Sequence, residues 1–158
     1  NPFSAGLWCV LGDKAVRIAE YYYNGRKKGV QKTDEEYADE VEKLIGDKKV
    51  LQIIVDPSAS SFIACLRKRG RTVRKAKNDV IDGIRQVAVC LQSGNVKIHR
   101  SCVDSIAEFG LYRWDEKATS DTVIKENDHA MDDIRYFVNT VLKYKIRSGS
   151  ITYAPFRL

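Results

Sequence analysis

Residues 125–137, KENDHAMDDIRYF, place acidic side chains and a histidine at the start of an apolar helical pattern. A helix N-terminus favours acidic groups because of its macrodipole and unpaired backbone N–H groups, but this accounts for only one or two of them. His129 and Asp132 are three residues apart and therefore share one helix face. Asp128 is their near neighbour, whereas Asp133 is expected to point to another face, into solvent. Crowded carboxylates repel each other unless a cation is present, and oxygen ligands of this type suit Mg²⁺ or Mn²⁺.

A further carboxylate, Asp56, directly follows a nearly continuous apolar run over residues 50–55. Such a run predicts a central strand buried on both faces. In open α/β sheets, ligands bind at the C-terminal ends of the parallel strands, which is where Asp56 stands. Each acid taken alone has a simpler explanation: Asp56 precedes Pro57 and Ser58 and could cap a helix, and Asp128 is well placed as the N-cap of the last helix. The joint pattern favours a cation site.

The elements that must position these residues follow from apolar periodicity and from turn and cap signals. Alternating strands and helices predict a single α/β domain over residues 1–158, with a mixed sheet flanked by helices on both faces. The chain is predicted to begin with two antiparallel strands over 1–25, with a turn at 12–14, and a basic loop over 25–32. A helix over 33–46, with a capping box at Thr33 and Glu36, is followed by a strand over 50–55, a helix over 57–70, a strand over 71–76 and a helix that is capped by Asn78 or Asp79 and ends at Gly94. The remaining predicted elements are a strand over 96–99, a helix over 101–110, a hairpin or irregular loop over 111–125 and a last helix over about 129–144.

Two helices have apolar positions that are expected to face the core. In the last helix these are Ile134, Phe137 or Val138, Val141 and Leu142. In the helix that follows Asp79 they are Val80, Ile81, Ile84, Val87, Ala88 and Leu91. The tail from residue 147 onward carries no strong anchoring pattern.

Composition indicates a soluble globular protein, with 44% apolar and 30% charged residues, and no apolar run is long enough to cross a bilayer. The cysteines are scattered and form no CxxC pair, which predicts reduced core thiols in a cytosolic protein. His99 and Cys102 form an HxxC pair, but no second pair completes a zinc site. The four cysteines are Cys9, Cys65, Cys90 and Cys102.

The positive charge is concentrated in two clusters of a chain whose net charge is +6. The run over residues 67–77, RKRGRTVRKAK, contains seven cations and no acid. A second cluster contains Arg26, Lys27, Lys28 and Lys32. The runs are equally consistent with a solvated surface and with contacts to a polyanion.

Four segments, spread in order over essentially the whole chain, resemble one family. They are NPFSAGLW, IVDPSASSFIACLRKRG, VRKAKNDVIDGIRQV and NDHAMDDIRYFV. They resemble the nuclease domain of the large terminase subunit of tailed phages and prophages. The resemblance implies a ribonuclease H-like fold and cleavage of packaged concatemeric DNA by two divalent ions, Mg²⁺ or Mn²⁺, held by carboxylates. It also implies an ATPase domain in the same parent chain, a small terminase subunit and a portal as partners, no membrane, and work in the cytoplasm of a bacterial host.

The same resemblance implies roles for individual residues. Asp56 matches the metal ligand of the second strand, and Asp132 matches the carboxylate ligand of the helix. His129 would lie beside it, near a metal-bound water or the scissile phosphate, and Asp128 is a weaker match, as a further acid or a cap. The family's first catalytic aspartate belongs to a strand that would lie just upstream of Asn1. We therefore expect this strand, and the ATPase domain, in the preceding sequence.

The basic residues are expected to hold duplex DNA through its phosphates, without reading sequence. Arg74, Lys75 and Lys77 are the first candidates, and Lys27 and Lys28 come second. Two alternatives stay open: another ribonuclease H-like nuclease, such as a junction resolvase, or a non-catalytic DNA-binding module whose acids are only caps. Cleavage specific for junctions would indicate the first, and indifference to Mn²⁺ would indicate the second.

Overall fold

The computed structural model describes residues 2–111 and 128–143, and the alternation of its elements confirms the predicted order. The strands are β1 Phe3–Leu11, β2 Lys14–Tyr23, β3 Ile53–Val55, β4 Val73–Lys75 and β5 Val96–Ile98. The helices are α1 Gly25–Lys28, α2 Asp34–Ile45, α3 Ser60–Lys68, α4 Ile81–Gln92, α5 Val103–Leu111 and α6 His129–Phe137, and α6 continues as a π-helix over Val138–Leu142. The short α1 replaces part of a predicted loop. The predicted hairpin or loop beyond Leu111 and the C-terminal tail lie outside the described residues.

The described strands form two sheets. β1 and β2 are antiparallel, and β2 also pairs with β5 in parallel, so this sheet is mixed as predicted. The β1–β2 turn contains Gly12, whose φ of 60° belongs to the left-handed region that favours glycine. β3 and β4 form a separate parallel pair. Within the described residues, β1 and β3 therefore each have one edge that is paired with no strand.

One core lies between α2, α3 and the N-terminal end of β1. The predicted capping box starts α2, because Thr33 accepts a hydrogen bond from the Glu36 backbone and Glu36 accepts one from the Thr33 backbone. Phe3 stacks on Tyr37 with ring centroids 4.2 Å apart, and Phe62 meets the Phe3 ring edge-on at 5.5 Å. Leu66 of α3 is fully buried in this core.

A second core lies where α6 and its π-helical extension pack on β1 and α4. Ile134, Val138 and Leu142 are fully buried, which confirms the predicted stripe of the last helix. Trp8 stacks on Phe137 with centroids 4.0 Å apart. α6 is thereby fixed against the strand that borders the candidate site.

Two predictions about burial are wrong in part. The predicted strand over 50–55 is regular only at Ile53–Val55, and Leu51 is 80% exposed, because β3 pairs with β4 alone among the described strands. In and beside α4, Val87 and Leu91 pack against the second core as predicted, but Val80 and Ala88 are exposed, while Gly83 and Cys90 are buried. Because α4 approaches α6 through Gly83, the buried face of α4 is shifted to one side of the predicted apolar stripe.

The predicted cap of α4 is also wrong. The helix begins at Ile81 and has no side-chain cap. The side chains of Asn78 and Asp79 are exposed, while their backbone carbonyls both accept hydrogen bonds from Arg135 of α6. A contact from a distant helix thus orients this loop, and a local cap motif does not.

Three cysteines are buried free thiols as predicted, namely Cys65, Cys90 and Cys102. Cys9 is exposed, so its predicted place in the core is wrong; it lies on the β1 strand, where neighbouring residues face opposite ways. Among the described residues, no helix combines the length and apolar character that crossing a bilayer requires.

Candidate active site

A cleft of about 700 Å³ opens between β1 and β3 and is bordered by α6. Its walls include apolar residues of both strands and, from α6, His129, Asp132 and Asp133. Asp56 contributes from the end of β3. The structure thus brings Asp56, His129 and Asp132 to one cleft, although Asp56 is far from the other two in sequence.

Asp56 is held in place by three hydrogen bonds. Its Oδ1 accepts from the backbone N–H and the Oγ of Ser58, both at 2.8 Å, and its Oδ2 accepts from the Tyr136 hydroxyl at 2.8 Å. Burial raises the pKa of Asp56, but these hydrogen bonds and the charge of Arg135 outweigh it and lower the pKa below its usual value. Asp56 therefore organises the turn toward α3 and remains an ionised carboxylate in the cleft.

Asp132 forms an ion pair with Arg135 of the same helix. Its Oδ1 accepts a hydrogen bond from Nη2 of Arg135 at 2.7 Å, and the Arg135 side chain is only 5% exposed. The Tyr136 phenol lies near both carboxylates: burial, the hydrogen bond to Asp56 and the charges of Asp132 and Asp56 all raise its pKa. Asp56 and Asp132 thus share Arg135 and Tyr136 as neighbours.

The N-terminus of α6 is capped by a residue that sequence reasoning missed. Glu108 of α5 accepts from the backbone N–H groups of Ala130 at 2.7 Å and Met131 at 3.3 Å, and from the Tyr22 hydroxyl at 2.6 Å. Burial raises the pKa of Glu108, although these hydrogen bonds and the charge of His129 oppose the shift. No local pattern could have identified this cap, because it comes from another helix.

Asp128 does not line the cleft with the other acids. Asp128 occupies the N-cap position of α6 as predicted, but its side chain makes no capping hydrogen bond, and Glu108 supplies the side-chain cap instead. Its charge is instead felt by Tyr22, whose pKa is raised by burial, by Glu108 and, to a smaller degree, by Asp104 and Asp128. Asp128 therefore lies within electrostatic reach of Tyr22.

Asp133 is not solvated, contrary to prediction. Its Oδ2 accepts from Ser4 Oγ at 2.9 Å and forms an ion pair of 2.8 Å with Arg17, whose side chain is fully buried. Burial lowers the pKa of Arg17, but the charge and hydrogen bond of Asp133, together with the charge of Glu20, raise it above its usual value. Gly6 leaves room for the guanidinium, because a Cβ there would collide with it. The ion pair between Asp133 and Arg17 joins α6 to the β1–β2 hairpin. The sequence does not indicate this pair, because an arginine within a predicted strand gives no sign of its partner.

The predicted DNA-binding residues lie at two places. Lys75 is the last residue of β4 and pairs in register with Val55, the last residue of β3. It therefore lies at the same C-terminal end of this parallel pair as Asp56. Arg74 and Lys77 are exposed on either side of it, and the backbone N–H of Lys77 donates to Thr140 Oγ1 at 2.9 Å. Lys27 and Lys28 of α1 line a separate, smaller hollow together with Tyr22 and Glu108.

The cleft has side-chain oxygens of the kind that bind a divalent cation, but it has too few of them to complete a site. Carboxylate oxygens are the ligands that Mg²⁺ and Mn²⁺ prefer. In residues 2–111 and 128–143, however, no three acidic, histidine or cysteine side chains converge closely enough to hold a metal ion. Asp56 and Asp132 could therefore supply only part of a ligand set.

Comparison with known proteins identifies the family of this chain. Residues 4–140 match the family described as the terminase RNaseH-like domain. The large terminase of a thermophilic bacteriophage, solved in complex with ATP-gamma-S, is 46% identical and superposes with a TM-score of 0.87, covering 90% of this chain and 37% of that one. The large terminase subunit of Escherichia phage T5 is 26% identical over 132 residues, which are 79% of this chain and 30% of the relative.

A third similarity concerns the fold alone. The nuclease domain of the large terminase of bacteriophage SPP1, solved with bound Mn, is 20% identical and has a TM-score of 0.62, with coverage of 87% of this chain and 78% of that domain. The present chain thus spans about a third of the length of the first two relatives and most of this isolated nuclease domain. It belongs to the RNaseH-like nuclease domains of phage large terminase subunits.

Proposed function

We propose that this domain is a metal-dependent endodeoxyribonuclease that hydrolyses phosphodiester bonds of concatemeric viral DNA during packaging. The observation that carries the proposal is the meeting of Asp56 and Asp132, from different elements, in one cleft beside the exposed cations of β4. When bound, two Mg²⁺ or Mn²⁺ ions would supply an activated water and stabilise the leaving oxygen. The Mn bound to the SPP1 domain supports the choice of metal.

Asp56, Asp132 and His129 would have different roles at the metal site. Asp56, kept ionised by Ser58 and Tyr136, and Asp132, held through one oxygen by Arg135, would act as ligands. His129 borders the same cleft and would hold a water or the scissile phosphate. Asp128 is left out of this set because it does not line the cleft.

Basic residues would hold the duplex across the cleft. Arg74, Lys75 and Lys77 are exposed at the sheet edge that bears Asp56, so contacts with phosphates there would bring the backbone to the carboxylates. Lys27 and Lys28, on α1, would contact DNA farther along its path.

We also propose that the polypeptide preceding Asn1 places a strand in the cleft. Both bordering strands have an edge without a partner among the described strands, and an unpaired strand edge is ordinarily covered or paired in a native protein. A strand between them would join the two sheets into one. It would also bring the upstream aspartate that the family resemblance implies, and so complete the ligand set that Asp56 and Asp132 begin.

The strand proposal predicts a difference between two lengths of the polypeptide. Extension by the natural preceding residues should raise the melting temperature without metal, since apolar cleft walls become covered, and should strengthen stabilisation by Mn²⁺. Differential scanning fluorimetry of both lengths, with and without Mn²⁺, makes the comparison. Equal melting temperatures and equal responses to Mn²⁺ would show that the cleft is not a strand site.

Further partners follow from the family. We propose that the domain works in the cytoplasm of the bacterial host, attached to an ATPase domain of the same polypeptide. The small terminase subunit and the portal are its expected partners in packaging.

The nuclease proposal predicts cleavage that depends on a divalent metal. In a polypeptide with its natural upstream sequence, Mn²⁺ or Mg²⁺ should start cleavage of linear duplex DNA, and EDTA should stop it, because the carboxylates alone cannot activate water. A gel assay with a linear duplex and a four-way junction of equal length separates the alternatives. Cleavage of the junction alone would favour a resolvase, and DNA binding without cleavage in either metal would favour a binding module.

A further inference from the structure

Arg135 connects the candidate ligand Asp132 to the loop that follows the basic strand. Its Nη2 donates to Asp132 Oδ1 at 2.7 Å. Its Nη1 donates to the backbone carbonyls of Asn78 at 2.7 Å and Asp79 at 2.9 Å. The guanidinium also lies over the Tyr136 ring, 4.9 Å from its centroid. One buried cation therefore touches a cleft carboxylate, the partner of Asp56, and the backbone next to Lys77.

The fold makes room for this arginine at a cost to α4. A Cβ on Gly83 would lie 2.8 Å from both Cγ and Cδ of Arg135 and would collide with the Asn139 amide. Glycine inside a helix is less stable than alanine, so alanine would suit α4 better if the Arg135 side chain did not fill this space. The same loop carbonyl, that of Asp79, also accepts from Asn139 at 3.4 Å. The position of the Arg135 side chain is thus fixed by the close approach of Gly83 and by the loop carbonyl of Asp79.

We propose that Arg135 is a positioning residue for the metal ligand Asp132. It holds the carboxylate through Oδ1 alone and leaves Oδ2 for a cation in the cleft. Its planar fork fixes the orientation of the carboxylate relative to the loop that carries the DNA-binding cations, which a point charge on a flexible stem cannot do. This inference rests on the proposed function, because it takes Asp132 to be a metal ligand.

A simpler role for Arg135 makes the opposite prediction. If the arginine only neutralised Asp132 in the absence of metal, its charge would compete with a bound cation, and removing it would strengthen metal binding. If it positions the carboxylate, removing it or displacing it weakens metal binding. The sign of the change in Mn²⁺ affinity therefore separates the two roles.

The test compares three variants in the polypeptide with its natural upstream sequence, using Mn²⁺ alone as the probe. Arg135→Lys keeps the charge and loses the fork, Gly83→Ala displaces the fork and keeps its charge, and Arg135→Met removes both. Each should weaken Mn²⁺ affinity roughly 10-fold or more, as changes behind metal ligands do. Arg69→Lys is the matched control and should leave Mn²⁺ affinity unchanged, because Arg69 pairs with Glu35 and Asp39 of α2.

Two measurements keep the outcomes apart. Titration calorimetry gives the Mn²⁺ affinity. The second measurement is binding to duplex DNA in EDTA, which should be unchanged in Arg135→Lys because the basic residues proposed to contact DNA are all retained. Wild-type Mn²⁺ affinity in Arg135→Lys and Gly83→Ala, or tighter binding in Arg135→Met, would overturn the positioning role and leave the proposed function intact. A wild-type protein that binds no Mn²⁺ would overturn both. Arg135→Lys and Gly83→Ala carry the test if Arg135→Met does not fold.

Discussion

In the polypeptide with its natural upstream sequence, Asp132→Asn is expected to abolish DNA cleavage and most of the stabilisation that Mn²⁺ gives the protein. An amide oxygen is a much weaker ligand than a carboxylate for a hard cation, and stabilisation by a ligand requires binding to the native state. At a Mn²⁺ concentration 100 times the dissociation constant, the wild type should gain about 2.7 kcal/mol, and the variant should lose most of this gain. Melting curves with and without Mn²⁺ measure the difference.

The structure also predicts what Asp132→Asn does without metal. Crowded acids alone would suggest that neutralisation relieves repulsion and stabilises the fold. Asp132 is paired with Arg135, however, and the arginine side chain is nearly buried, so the variant weakens a charged hydrogen bond. We expect a loss of roughly 1 to 2 kcal/mol, limited by the partial exposure of Asp132 and by the two carbonyls that Arg135 retains.

A matched variant tests whether these effects belong to the cleft. Asp47→Asn removes the same charge from a side chain that is 97% exposed beyond the end of α2. It should leave cleavage, metal-free stability and the response to Mn²⁺ unchanged. Equal stabilisation of Asp132→Asn and wild type by Mn²⁺ would mean that Asp132 is only the structural partner of Arg135.

The convergence of Asp56 and Asp132 was predictable because it depends on local signals. A buried strand ending in an acid, and acids at a helix start, both indicate positions that a sheet edge can bring together. The partners that hold these acids were not predictable. In the helical pattern of α6, Arg135 and Tyr136 occupy polar positions between the apolar ones. Nothing in the sequence near them predicts that Tyr136 contacts Asp56 or that Arg135 contacts the loop at Asn78.

The errors have the same physical origin. Asp133 was expected in solvent because helical spacing places it off the face of Asp132, but the neighbouring face packs on the hairpin and meets the buried Arg17. The buried face of α4 was predicted only in part, because close approach at Gly83 decides the orientation of the helix. Apolar periodicity predicts which residues can be buried, while long-range ion pairs and close backbone approach decide which of them are.

Replacing Arg74, Lys75 and Lys77 with alanine is expected to weaken binding to duplex DNA to a similar extent for all sequences. Contacts with phosphates release counterions and carry no sequence information. The slope of log affinity against log salt concentration should become shallower by about 0.9 for each lost contact, and so by up to about 2.7. Fluorescence anisotropy in EDTA at several salt concentrations measures this without cleavage.

The matched comparison is the replacement of Lys27 and Lys28 with alanine. Both sets remove exposed cations, but only the first lies at the sheet edge that carries Asp56. If α1 contacts DNA farther along its path, as proposed, each lysine removed there should also flatten the salt slope by up to about 0.9. An unchanged slope in the α1 variant would confine the phosphate contacts to residues 74–77, and an unchanged slope in the first variant would mean that the basic strand is a solvated surface.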